Sequence, residues 1–205
     1  MCRQRKEVML MAVVFSGENP GLTLFKPGTE DRVAAVSYWR CVYSEHGEGN
    51  AMLIWVDKEG SGLGDLAPHA IYTDNPAMAK LVAERFTQHF GGFADLGFAG
   101  MEPTHARFFQ ESDSRWYHRV VANHGDGVVE LVWWDVIEHQ QVLRQDYELG
   151  GTKWDLMTVI CPCKSASVSV NNQPVEGEVH TRTSANGTPG SSAFLAFSET
   201  WVEKP

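Results

Sequence analysis

Basic residues, spaced cysteine pairs and long apolar runs are all scarce in this sequence, and each scarcity removes a class of function. Lys and Arg number 17 against 26 Asp and Glu, giving a formal charge of −9. Nucleic-acid backbones and anionic membranes reward clustered cations through counterion release. The one basic cluster is Arg3, Arg5 and Lys6, so neither surface is expected as a partner. The cysteines are Cys2, Cys41, Cys161 and Cys163, and their spacing matches no zinc ribbon or finger. Cys161-Pro162-Cys163 is one residue too short for a redox CxxC, so no metal is expected and the thiols read as those of a cytoplasmic protein. The apolar stretch Val8–Phe15 follows basic residues as in a signal peptide, but Glu7 interrupts and no A-x-A site follows. It is too short to span a bilayer and reads as a first strand. The phosphate loop GxxxxGK[ST], the dinucleotide fingerprint GxGxxG leading into a helix, HExxH and GxSxG are all missing, so no cofactor is expected.

What is present is β chemistry. Ten Phe and seven Trp supply large apolar surfaces, and each Trp carries a donor that needs a partner. Strands are expected at 33–43, 51–57, 69–73, 104–111, 115–123, 128–136, 142–149, 153–161, 165–170, 175–181 and 193–203. Asn171-Asn172-Gln173-Pro174 and Asn186-Gly187-Thr188-Pro189-Gly190 are turn signals. One amphipathic helix is expected at about 76–90, with Asn75 as its cap, Pro76 at its first position and Gly91-Gly92 as its stop. Its apolar stripe of Met78, Leu81, Val82, Phe86 and Phe90 is that of a core-packing helix. Residues 91–102 are too glycine-rich for a regular element. These elements predict a mainly β fold, a single domain over 1–205. An antiparallel β-barrel is preferred because closure removes exposed edges. Its plan is that of lipocalin-like barrels by analogy of architecture alone, with no motif behind it.

Self-comparison aligns two hairpins. Tyr38-Trp39-Arg40, His46-Gly47-Glu48-Gly49, Trp55 and Asp57 match Trp116-Tyr117-His118-Arg119, His124-Gly125-Asp126-Gly127, Trp133 and Asp135. With Asp126-Gly127 as a two-residue turn, His118 falls opposite Asp135 and Val120 opposite Trp133. Trp116 shares that inward face. Glu48-Gly49 in the same role sets Arg40 opposite Asp57 and Val42 opposite Trp55. A one-residue slip would turn every one of these side chains to the other face. Glu199 stands apart: an inward carboxylate there would need a partner.

The leading expectation is a small-molecule binding protein, its cavity lined by Trp55, Trp116 and Trp133 with Arg40 and Asp57 as polar anchors, for an apolar or aromatic ligand. A cofactor-independent enzyme would use His118 with Asp135 for proton transfer. A protein-interaction module, or a homo-oligomer built through sheet faces, is the third reading.

Overall fold

The computed structural model describes residues 12–113, 115–125 and 127–205. The first half of the expected first strand, Val8–Met11, lies outside them. The chain opens with Ala12–Glu18 (β1), Gly21–Phe25 (β2), Arg32–Ser44 (β3), Gly49–Val56 (β4) and His69–Thr73 (β5). One helix follows, Pro76–Arg85 (α1). Then come Thr104–His105 (β6), Arg107–Asp113 (β7), Tyr117–His124 (β8), Gly127–Val136 (β9), Gln140–Leu149 (β10) and Thr152–Val170 (β11). Gln173–Pro174 (β12), Thr181–Thr183 (β13), Pro189–Ser191 (β14) and Ala193–Glu203 (β15) complete it. The fold is mainly β and mostly antiparallel.

Thirteen strands form one sheet in the order β6-β5-β4-β3-β1-β15-β11-β9-β8-β7, with β2, β10 and β12 paired beside that path. The two end strands, β6 and β7, are separated in sequence by Ala106 alone, whose N–H bonds Thr73 O at 2.8 Å. Only the two-residue parallel pairing of β5 with β6 laces that junction, and β7 ladders to β8. β13 and β14 form a separate two-stranded arm.

Each face of the sheet has its own core. Along β3, Ala34, Val36 and Tyr38 point into an inner cluster with Met52, Ile54, Val120, Leu131, Trp133 and Leu195. Ala35, Trp39 and Cys41 point the other way, into a cluster built with α1, Phe15, Trp154 and Trp201. Both faces of β3 are dry, which is why its sequence is apolar without alternation. The helix therefore flanks the sheet.

α1 starts as its sequence dictates. Asn75 Oδ1 accepts from Met78 N at 3.2 Å, and Pro76 takes the first turn. It ends at Arg85, short of the expected end at about 90, because Phe86 leaves helical geometry, at φ −126°. Its ring packs against Phe15, Trp39, Trp154 and Trp201. Thr87 follows in a short 3-10 turn and accepts Trp39 Nε1 at 3.0 Å.

Two strand expectations need correction. The strands expected at 153–161 and 165–170 are one, β11, running straight through Pro162. Its partner changes at that point, from β15 up to Pro162 to β9 from Cys163 onward, so the missing proline N–H falls where one ladder hands over to the next. The strand expected at 175–181 does not form. That stretch touches β2 through the single bridge Phe25–Glu178, where Gly177 comes too close to Val33 and Leu24 to carry a side chain.

Candidate functional site

The two hairpins are not copies of each other. In the second, His118 lies opposite Trp133, Val120 opposite Leu131 and His124 opposite Gly127. The ladder is thus displaced by two residues from the expected one. Gly125 has a positive φ of 68°, and Gly127 is needed for a close approach, since a Cβ there would meet the His124 ring. A two-residue shift preserves faces. His118, Val120, Ala122, Leu131 and Trp133 do point inward together, as their alternation predicted. Asp135 does not join them. It is exposed, has φ 57°, and accepts Ser165 Oγ at 3.1 Å.

In the first hairpin β3 outruns β4. Its ladder with β4 ends at Cys41–Gly49, and the chain turns over Ser44 to Gly47. Arg40 then faces Asn50, and Trp55 faces Ala35. This shift is odd, so Trp55 turns to the helix side, beneath the Arg32 guanidinium at 5.8 Å. Asp57 tightens the following turn, accepting Gly60 N at 2.7 Å. Trp116 sits in the β7–β8 turn, 66% exposed. Trp133 alone of the three expected ring walls is inside, fully buried, and it donates Nε1–H to Gly21 O at 3.0 Å. The expected site residues are therefore dispersed, and the Trp-lined cavity is not assembled from them. Side chains fill the space instead.

Arg40 and His118 both lie within electrostatic reach of Glu18, a residue the sequence reading missed. Glu18 lies opposite Arg40 across β1–β3 and pairs with it, Oε1 to Nη1 at 3.0 Å. Gln110 on β7 donates Nε2–H to Glu18 Oε2 at 2.8 Å and lies 3.3 Å from the Tyr38 hydroxyl. That hydroxyl donates to Asn50 Oδ1 at 2.6 Å, and Asn50 Nδ2 donates to Asp74 Oδ2 at 2.7 Å. The chain of bonds ties β7 to β1 and β3, strands with which it shares no backbone ladder. His118 Nδ1 contacts Ser112 Oγ at 2.9 Å, while its Nε2 is buried with no partner among the described residues. Burial pushes the imidazole pKa down to about 4, Glu18 opposing and Arg40 assisting. Burial, with Glu18 adding to it, likewise holds the Tyr38 phenol far above its ordinary value.

A second polar cluster forms around Glu199. The bulge at Ser198, φ 53°, turns Glu199 to the face opposite Phe197. Trp201 Nε1 donates to its Oε1 at 2.7 Å and Asn19 Nδ2 at 3.3 Å, with Ser37 Oγ in turn donating to Asn19 Oδ1 at 3.1 Å. Burial raises the carboxyl pKa to about 7 against these bonds. Cys161 and Cys163 are buried thiols, pushed by burial up to about 11 and about 12, and so unreactive as nucleophiles at neutral pH.

Space for a ligand lies on the outer face, around the β13–β14 arm. A groove of about 400 Å³ runs between the arm and the sheet, floored by Ile160, Pro162 and Phe194 and walled by Pro189, Gly190 and Ser191. Alternation explains the floor. Pro162 and Phe194 are cross-strand partners pointing outward, while Cys161, Cys163 and Leu195 point into the inner core. The far end of the Phe194 ring packs at Gly21, where a side chain would displace it. Gln140 bridges sheet and arm, donating Nε2–H to Pro189 O at 2.8 Å. A neighbouring groove of about 410 Å³ is lined by Ile137, Lys164, Val179 and Thr183. Arg182 lines both.

The class defined by this architecture is a mainly antiparallel β protein with one flanking helix. Comparison of the chain with protein families, with curated proteins and with solved structures returned no match. No helix among the described residues is long and apolar enough to cross a membrane.

Proposed function

We propose that the protein is a small-molecule binding protein of barrel type, whose ligand lies under the β13–β14 arm on the outer face of the sheet. The observation that carries this reading is the groove itself. Its volume of about 400 Å³ falls within the range of small-molecule sites, and its floor of Ile160, Pro162 and Phe194 is apolar. The inner face is the poorer host, because Trp133 and its neighbours already fill it. A barrel treats its sheet as continuous through Ala106, and the Gln110 bonds to Glu18 and Tyr38 support that closure. The acid–base reading loses its pair, since Asp135 and His118 lie on different faces.

The test is a fluorescence titration with N-phenyl-1-naphthylamine, a neutral apolar probe. Saturable binding is expected in the native protein, and its loss in Ser191→Trp, which fills the groove from the arm side. Thermal melting of the variant checks that it is folded. Absence of saturable binding, or a folded Ser191→Trp protein that binds as well as the native one, overturns the reading.

A further inference from the structure

Arg182 borders three neighbouring grooves around the arm. Its stem lies across Gly190, its cross-strand partner on β14. A Cβ placed there would sit 3.2 Å from Arg182 Nε and 3.3 Å from its Cγ. Glycine at 190 thus lets the guanidinium reach across the arm toward the sheet. On the sheet side, Lys164 extends outward from β11 just past Pro162, and it shares the second groove with Arg182. Neither cation forms an ion pair or hydrogen bond with any described residue, although acidic residues outnumber basic ones in the chain. The carboxylates that line the third groove, Glu30 and Glu178, are directed at His180, at 3.7 and 3.4 Å.

Two unpaired cations facing one recess, next to an apolar floor, form a two-part recognition surface. The floor accepts a flat or branched apolar body. The cations accept a group that spreads negative charge over several oxygens, which a guanidinium binds in bidentate fashion and an ammonium as a point charge. Building on the groove reading above, we infer that the ligand is an amphipathic anion, a carboxylate, sulfonate or phosphate on an apolar skeleton. Its charged group lies between Arg182 and Lys164, and its skeleton lies over Phe194. The same two grooves add polar walls from Thr181, Thr183 and Ser184, which suit the rim of such a site.

A matched pair of probes separates this inference from the reading beneath it. 8-Anilinonaphthalene-1-sulfonate and N-phenyl-1-naphthylamine share an anilinonaphthalene skeleton, and only the first carries an anion. The sulfonate is expected to bind the native protein about tenfold more tightly, a difference of about 1.4 kcal/mol. Arg182→Gln and Lys164→Gln should each erase most of that advantage and leave the neutral probe unchanged. Gly190→Ala should weaken the sulfonate by displacing the guanidinium while keeping its charge. Arg107→Gln, a substitution of an exposed cation outside these grooves, should change neither probe. Raised salt should narrow the gap between the probes. Equal affinities for the two probes, or a sulfonate preference that survives both glutamine substitutions, overturns the inference and leaves the groove reading standing. Failure of both probes to bind removes the groove reading and the inference together.

Discussion

Glu199 and His118 are buried titratable groups whose protonation responds to burial in opposite ways. Glu199 has its pKa raised from 4.5 to about 7, so between those values the folded protein holds a proton that the unfolded chain has lost. Stability from this group is present below 4.5 and declines as pH rises toward 7. His118 has its pKa lowered from 6.5 to about 4, so in that window the unfolded chain binds the extra proton and stability rises with pH. Each shift corresponds to about 3 kcal/mol across its window. The two slopes oppose each other between pH 4.5 and 6.5, and their joint contribution there is expected to be flat. Glu199→Gln should leave an upward slope over that range, and His118→Gln a downward one, read as denaturation midpoints against pH. Identical profiles for the native protein and both variants would contradict the buried titrations. Glu199 was recognisable in sequence as a carboxylate needing partners. Its donor Trp201 is two residues away, but its other partner, Asn19, comes from the far end of the chain and left no local sign.

At the level of elements, local signals were legible and long-range ones were not. Asn75, Pro76 and the apolar stripe placed the start of α1 correctly because capping is settled within four residues. Its end was set by Phe86 turning into a cluster of rings from distant strands. The same distinction governs the hairpins. Inward and outward sets of β8 and β9 were readable from alternation, but their register depended on whether Gly127 served the turn or the His124 ring. Asn75 also donates to His46 O and Glu48 O, both at 2.9 Å, so the helix cap holds the β3–β4 connection as well. Asn75→Ala should therefore cost more than the about 1 kcal/mol of an ordinary cap. Gly49→Ala should destabilise too, because its Cβ would lie 2.6 Å from that of Asn75. Urea unfolding of both variants measures this. A loss in Asn75→Ala of no more than an isolated cap would show that the connection does not depend on it.

At the scale of the molecule, stability is unevenly distributed. β3 and β4 are buried on one or both faces and paired along their length, whereas every residue of β13 is exposed and the arm pairs only within itself. Hydrogen exchange should be slowest in β3 and β4 and fast in residues 181–191. Saturating 8-anilinonaphthalene-1-sulfonate should slow the arm selectively. An arm as protected as β3 without ligand would mean that it packs as part of the main sheet, leaving no groove beneath it.

The sequence by itself determined the class of structure. Apolar periodicity, β-branched and aromatic runs and turn chemistry act over a few residues, and they specified a mainly β chain with one capped helix. The tertiary structure decided which residues meet. Strand register is set by contacts between segments apart in sequence, so Arg40 found Glu18 in place of Asp57, while His118 bonds Ser112 on the neighbouring strand and Asp135 turns to the other face. The same long-range pairing set Pro162 beside Phe194 and brought Arg182 and Lys164 to one recess, an arrangement for which no local pattern in the chain gives a sign.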